Sequence, residues 1–167
     1  MPNIVERIPR ARKTQKALRG LGYKFNSSVA DLVDNSISAN AENVKIYFFR
    51  PNGGSEFNLF ILDDGHGMDA EKLGEAITYG SEQDYQKGSL GKFGMGLKTA
   101  SLAHCNKLTI YSRLKDHEKY NGSGINTELV EAEDKWLTID YNHDEAEEDL
   151  SKYPFEYDSM NTIVKWD

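Results

Sequence analysis

The segment FNLFILDDGHGM, residues 57–68, ends an apolar run on two acidic residues and a glycine-rich turn. Alternation along a β-strand brings Phe57, Leu59 and Ile61 to one side, and Asp63 is in phase with them. The Asp63 carboxylate should therefore point into the core. A buried carboxylate is costly unless it is hydrogen-bonded, and the amino group of an adenine base is a suitable donor.

The turn that follows carries Gly65 and Gly67 ahead of Met68. Glycine has no Cβ, so the backbone can pass close to a flat ring at these two positions. A simple capped turn, closed by Asp63 or Asp64, is the alternative interpretation. G-x-G-x-x-A after a strand also resembles a dinucleotide-binding turn, but the acidic ribose ligand expected about 20 residues later is absent from DYQKGSLG.

The elements around this segment predict an α+β fold. NVKIYFF at 43–49 is β-type and is joined to 57–63 by PNGGSE, whose Asn-Gly and Gly-Gly pairs favour an antiparallel hairpin. Helices are expected over 13–21, 26–39, the segment after Asp69 and 94–103, and strands over 107–113, 135–141 and 161–166. This order indicates a mostly antiparallel sheet with helices on one face.

Composition favours one soluble globular domain over residues 1–167, with 38% hydrophobic and 28% charged residues. The single cysteine, Cys105, and the absence of a secretory signal in the charged N-terminus favour the reducing cytoplasm and no membrane association. The net charge of −7 does not indicate nucleic acid as a partner. Basic residues cluster over 7–19, and HDEAEEDL at 143–150 is acidic.

The helix predicted over 26–39 has two contrasting faces. The inward face is expected to carry Val29, Leu32, Val33, Ser36 and Ile37. The polar face carries Asp31, Asp34, Asn35 and Ser38. On that face, the Asn35 amide oxygen can bind a magnesium ion, and Asp31, one helical turn away, can polarise a water molecule.

The second glycine loop, GKFGMGLKT at 91–99, places backbone N–H groups at the start of a helix, where they can bind phosphate. Lys92 or Lys98 can add a compensating charge. A Walker A loop does not fit, because Leu97 occupies the lysine position of that pattern.

VADLVDNSISANA, LDDGHGM and GKFGMGLKTAS occur in the order and spacing of the GHKL superfamily, which this chain resembles. MutL, MORC proteins and gyrase B are the members most similar in motif style. The resemblance implies the Bergerat fold, a two-layer sandwich of a mixed, mostly antiparallel sheet with helices on one face. It also implies ATP and Mg²⁺ as ligands, with residues 80–96 as the ATP lid.

The resemblance assigns roles residue by residue. Asn35 is the implied magnesium ligand, Asp63 the adenine-reading carboxylate and Thr162 its neighbour. The implied nucleotide-binding residues are Asn35, Ser38, Asp63, Gly65, Gly67, Met68, Gly91, Lys92, Phe93, Gly94, Met95, Gly96, Leu97, Lys98 and Thr162.

Two departures bear on catalysis. Asp31 stands where hydrolytic members carry a glutamate, and Ser38 where many carry an aspartate. Asp31 is the candidate general base, but one methylene fewer withdraws its carboxylate by about 1.5 Å, and a misplacement of about 1 Å can cost about 10²-fold in rate. Asp34 is the second candidate.

Three functions are compatible with these residues. The first is a magnesium-dependent ATP-binding domain with slow hydrolysis, a conformational switch for attached domains or for a homodimer partner joined through residues 7–19. The second is an ATP-sensing interaction module without hydrolysis. The third, a histidine-kinase catalytic domain, is disfavoured because no helical-hairpin phosphoacceptor segment precedes the domain. The chain is expected to be the N-terminal part of a longer protein.

Overall fold

A computed structural model describes residues 5, 9–51, 56–79 and 96–167. The helices are α1 (Ala11–Arg19), α2 (Phe25–Ser38), α3 (Ala70–Ile77), α4 (Gly96–Leu102), α5 (Thr127–Glu133) and α6 (His143–Leu150). The strands are β1 (Val44–Phe49), β2 (Asn58–Asp63), β3 (Lys107–Ser112), β4 (Asn121–Asn126), β5 (Ile139–Tyr141) and β6 (Thr162–Trp166).

The six strands form one sheet in the order β1-β2-β6-β3-β4-β5, and every neighbouring pair is antiparallel. The predicted α+β class and the hairpin pairing of β1 with β2 are confirmed. The crossover that inserts β6 between β2 and β3 brings the last strand of the described chain to the centre of the sheet.

Five helices, α1 to α5, cover one face of the sheet, which we call the helical face. Residues of alternate positions in β2, β3 and β6 build its core against the helices, because side chains on a strand alternate between faces. This core contains Leu32, Leu59, Ile61, Leu73, Leu102, Leu108, Ile110, Val130, Val164 and Trp166, all at most 9% exposed.

The opposite face has its own core, which the sequence analysis did not predict. There, α6 and the segment 151–160 pack against Phe60, Leu62, Tyr111 and Ile163. A capping box fixes the start of α6: Asn142 accepts from the backbone of Glu145, and the Glu145 side chain accepts from the backbone of Asn142. The acidic segment 143–150 is thus an amphipathic helix, with Ala146 and Leu150 buried.

Strand β4 was missed because its sequence, NGSGIN, contains two glycines, which weaken a strand in isolation. The neighbouring strand explains both. A Cβ on Gly122 would lie 2.8 Å from the Tyr111 ring, and one on Gly124 would lie 2.6 Å from the Leu108 carbonyl oxygen.

Two expected core positions are wrong, and one predicted strand is shorter than expected. Ile37 is 61% exposed, because the buried side of α2 is centred on Leu32 and Ser36 near the end of the helix. Phe57 is 44% exposed, because β2 begins one residue later, at Asn58. The predicted strand over 135–141 is reduced to β5, which leaves Trp136 outside it and 38% exposed.

Helix α1, which lies within the basic segment 7–19, is bound to α5 of the same chain. Arg10 pairs with Asp134 at 3.1 Å, and Lys16 pairs with Glu131. Arg19 donates to Asn106 and Thr127 at 3.1 and 3.2 Å. These basic side chains therefore have partners within the chain.

Candidate functional site

Three polar side chains form a row across the centre of the sheet. Asp63 at the end of β2 lies opposite Thr162 at the start of β6, and Thr162 lies opposite Ser112 at the end of β3. All three share the helical face, since they are in phase with Ile61, Val164 and Ile110. We call them the polar row.

Asp63 points inward, as the alternation predicted, and is only 5% exposed. Its carboxylate accepts from the Ser36 hydroxyl at 2.9 Å and from the Gly65 backbone N–H at 3.0 Å. Burial raises the pKa of Asp63, whereas these two hydrogen bonds lower it by a smaller amount. The carboxylate thus lies in a desolvated environment, and its hydrogen-bond donors among the described residues are neutral.

The turn after β2 requires both glycines. Gly67 has φ +67°, and a Cβ there would lie 1.7 Å from the carbonyl oxygen of Arg113. A Cβ on Gly65 would lie 2.8 Å from Ala39 and 3.0 Å from the Asp63 carboxylate. The backbone at Gly65 thus passes beside the carboxylate, and the backbone at Gly67 passes beside the Arg113 carbonyl, at distances that a side chain would prevent.

Asn161 and Asp64 anchor this turn from two sides. The Asn161 amide donates to the carbonyl oxygen of Gly65 at 2.8 Å, and its backbone N–H donates to the Asp63 carbonyl oxygen at 2.7 Å. Asp64 accepts from the backbone N–H groups of Glu42 and Asn43, both at 2.8 Å. These contacts fix the path of the turn. Desolvation acts to raise the pKa of Asp64, but the hydrogen bonds that its carboxylate accepts outweigh it and lower the pKa.

The polar face of α2 lies beside the polar row. Ser36 connects this helix to Asp63, while Asn35 and Ser38 are exposed and Asp31 is half-buried. Within the described residues no three His, Cys, Asp or Glu side chains are grouped to hold a metal ion. A magnesium ion on the Asn35 amide oxygen would therefore need oxygens of a bound phosphate and water, which is how Mg²⁺ is commonly held.

The second glycine loop is described only from α4 onward. Gly91, Lys92, Phe93, Gly94 and Met95 lie outside the described residues. Gly96 is exposed at the start of α4, and Leu97 packs against the core of the helical face.

Lys98, expected near phosphate, is 1% exposed in α4. Its ammonium donates to the carbonyl oxygens of Ala76 and Thr78 at the end of α3, at 2.9 and 2.8 Å. Burial lowers the pKa of Lys98 to about 8. Lys98 therefore joins α3 to α4 in this structure, and its contact with phosphate stays a prediction.

Three residues of the site were not assigned from the sequence: Ser36, Ser112 and Asn161. Ser36 was placed on the inward face of α2, and that position was the available signal for a contact with the sheet. Ser112 and Asn161 gave no signal, because their roles depend on the cross-strand register of β3 and β6. In the structure, Ser112 also accepts from the backbone N–H of Met68 at 2.9 Å, which connects β3 to the glycine turn.

The family described as histidine kinase-, DNA gyrase B- and HSP90-like ATPase matches residues 23–160. The chain belongs to this family. Membership carries the GHKL fold and a nucleotide-binding function of the ATPase type. The match ends shortly before Thr162, whose place in the polar row is given by the pairing of β6 with β2.

Individual relatives are MORC proteins. The chain is 32% identical over 94 residues to the human protein "ATPase MORC2", an alignment that covers 53% of this chain and 9% of the relative. It is 31% identical over 88 residues to "Protein MICRORCHIDIA 7" of Arabidopsis thaliana, covering 50% and 12%. For "ATPase morc-1" of Caenorhabditis elegans the identity is 37% over 75 residues, covering 45% and 8%. The similarity thus spans about a tenth of each relative.

None of the described helices combines the length and the apolar character needed to cross a membrane.

Proposed function

We propose that this domain binds Mg-ATP in the space between α2 and the glycine turn, hydrolyses it slowly, and uses the bound state as a conformational switch. The observation that carries this proposal is the environment of Asp63: a buried carboxylate with neutral donors, beside two glycines that admit no Cβ. Such a group accepts a hydrogen bond from a ligand without an ion pair to break first.

Adenine fits this environment by its chemistry. Its amino group donates to Asp63, its ring lies along the backbone at Gly65 and Gly67, and Met68 supplies an apolar contact. Thr162, 8% exposed, neighbours Asp63 in the polar row. In a low-dielectric site these hydrogen bonds discriminate strongly, because an unmatched polar group costs its full desolvation energy.

The phosphates extend toward the helix α4 and the exposed polar face of α2. Asn35 holds the magnesium ion, Ser38 lines the same face, and the backbone of residues 91–96 with Lys92 binds phosphate oxygens at a helix start. Asp31 is the general base for the attacking water. Its side chain is one methylene shorter than the glutamate expected at that position, which is the reason for slow turnover.

Calorimetric titration tests binding. The wild-type protein is expected to bind ATP more tightly with magnesium than with excess chelator, and Asn35→Ala should remove that difference while retaining chelator-level affinity. Asn26→Ala, which changes an exposed asparagine in the first turn of the same helix, is the matched control. Absence of ATP affinity in the wild-type protein contradicts the proposal.

The second candidate function is an ATP-sensing module without hydrolysis, which is motivated by the two departures from the GHKL pattern, Asp31 and Ser38. A single-turnover hydrolysis assay distinguishes it from the switch. Asp31→Glu should raise the rate by about tenfold or more if the missing methylene limits catalysis. Asp31→Ala should abolish it, and Asp34→Ala should not. A wild-type rate equal to that of Asp31→Ala favours the sensing module.

A homodimer that depends on residues 7–19 completes the switch. Arg10, Lys16 and Arg19 already contact α5 and its surroundings in one chain, so dimerisation would have to leave or re-form these contacts. Sedimentation velocity with and without a non-hydrolysable ATP analogue measures it, and joint replacement of Arg10, Lys16 and Arg19 by Ala should prevent any ATP-dependent dimer. A monomer under both conditions contradicts this part of the proposal.

A further inference from the structure

Ser112 belongs to a hydrogen-bond chain whose direction can be worked out atom by atom. Its hydroxyl oxygen lies 3.0 Å from the Asn161 carbonyl oxygen and 3.0 Å from the Thr162 hydroxyl oxygen, and it accepts from Met68 N–H at 2.9 Å. Ser112 is 0% exposed and Thr162 is 8% exposed. Each hydroxyl has one proton to donate and two lone pairs.

A carbonyl oxygen only accepts, so the contact between Ser112 and Asn161 uses the Ser112 proton. The Asn161 oxygen also accepts from Arg113 N–H at 2.9 Å, and its two lone pairs accommodate both donors. In the contact between Ser112 and Thr162, the proton must then come from Thr162. The reverse direction would leave the Thr162 proton without an acceptor among the described residues.

We propose that Ser112 is a positioning residue that makes the site specific for purines with a 6-amino group, by taking up the Thr162 proton so that Thr162 presents only acceptor lone pairs to a base. Asp63 is an acceptor as well, and it lies opposite Thr162 in the polar row. Two neighbouring acceptors match the two N–H bonds of one exocyclic amino group. They oppose the oxygen of a 6-oxopurine such as inosine.

This inference rests on the proposed function, and it adds a residue on β3 that needs no contact with the ligand. Ser112→Ala removes the acceptor for the Thr162 proton. The Thr162 hydroxyl can then turn and donate to a 6-oxo group. The loss of the contact with Met68 acts on the turn and lowers the affinity for all purines alike, so the ratio of two affinities isolates the effect of Thr162.

The experiment measures the dissociation constants of Mg-ATP and Mg-ITP by calorimetry. In the wild-type protein, ATP should bind more tightly than ITP; in Ser112→Ala, this ratio should fall about tenfold, as expected when one buried hydrogen bond changes direction. Ser112→Thr, which keeps the hydroxyl, should restore the ratio. Thr109→Val is the matched control on β3: the Thr109 hydroxyl is buried and has no hydrogen-bond partner among the described residues, and the ratio of this variant should equal that of the wild type.

A double-mutant cycle tests the route of the effect. Thr162→Val removes the turning hydroxyl, so Ser112→Ala should leave the ratio unchanged in that background. A wild-type protein that binds ATP, with an ATP to ITP ratio unaltered in Ser112→Ala, overturns this inference and leaves the proposed function intact. A wild-type protein without affinity for ATP overturns both.

Discussion

Buried charged groups have different partners on the two faces of the sheet. On the helical face, the Asp63 carboxylate has neutral hydrogen-bond donors and a raised pKa, and the Lys98 ammonium donates to backbone carbonyls and has a pKa lowered to about 8. On the opposite face, Lys165 pairs with Asp149 at 2.8 Å and Asp167 at 3.3 Å. That pairing and a hydrogen bond from Tyr111 lower the pKa of Asp149 against the effect of desolvation.

The difference separates charges that are held in ion pairs from charges whose partners in the described residues are neutral; of the latter, Lys98 joins α3 to α4, and Asp63 lies in the polar row. The Lys165 ammonium is 5% exposed, lies over the Tyr153 ring at 5.0 Å and joins α6 to the sheet through Asp149. Its pKa is raised by these partners although desolvation opposes them. Among the described residues, Asp63 and Lys98 have no ion-pair partner, and desolvation shifts the pKa of each, as is common for groups at functional sites.

The largest expected effect is on the stability of the opposite face. Asp149→Asn leaves the Lys165 ammonium buried with Asp167 as its remaining carboxylate, and the free energy of unfolding at neutral pH should fall by about 3 kcal/mol. Urea denaturation measures this change, and the affinity of the folded protein for ATP should stay the same. Glu148→Gln, an exposed neighbour on α6, is the control and should change stability by less than about 0.5 kcal/mol. Equal effects of the two substitutions would contradict the structural role of the pair.

Asp63→Asn should give the reverse pattern on the helical face. The amide presents a donor or a weaker acceptor to the adenine amino group, so ATP affinity should fall about 100-fold. Since the substitution removes a desolvated charge, the free energy of unfolding should stay the same or rise. Calorimetry and urea denaturation of the same samples measure both quantities. A large loss of stability together with retained affinity would assign Asp63 to the structural class of Asp149.

The buried Lys98 ammonium should make the stability of the protein depend on pH in alkaline solution. Its pKa is about 8 when folded against 10.5 for the unconstrained group, so the unfolded state binds more protons between these values. Stability should therefore rise with pH above about 8 relative to Lys98→Met, by roughly 1 to 2 kcal/mol. Lys165→Met should show no such difference in slope, because the Lys165 pKa is raised. Parallel curves for the wild-type protein and Lys98→Met would contradict the desolvated environment of Lys98.

The smallest expected effect is the contribution of Asp63 to stability at acidic pH. The pKa of Asp63 is raised above 3.8 in the folded state, so this group favours folding at low pH, and its contribution is lost as the pH rises through the folded pKa. The stability of the wild-type protein minus that of Asp63→Asn should decrease as the pH rises above 3.8, because the unfolded carboxyl ionises before the folded one. ATP affinity should increase over the same range, because binding uses the ionised carboxylate. A difference that grows with pH instead would mean that the folded pKa is lowered.

Local sequence signals predicted the elements that follow a simple period. Alternation through Leu59 and Ile61 predicted the inward direction of Asp63. The helix expected after Asp69 is α3, and the Asp69 side chain caps its start by accepting from Lys72 N–H at 2.9 Å. Local signals failed for β4, because the glycine at position 122 is explained only by the Tyr111 ring on the neighbouring strand. They also failed for α6, because its many charged residues gave no sign that Ala146 and Leu150 are buried. Ile37 was misplaced because a helical period gives the spacing of a buried stripe and does not give its width.

The sequence by itself determined the family, the α+β class, and the strand and turn that carry Asp63, Gly65 and Gly67, because these depend on residues close together in the chain. Only the tertiary structure decided that Ser36 donates to that carboxylate and that Thr162 and Ser112 continue the polar row beside it. This arrangement depends on the insertion of β6 between β2 and β3 and on the packing of α2. The direction of each hydroxyl proton, and with it the proposed choice of base, follows from contacts between residues about 50 positions apart in the chain.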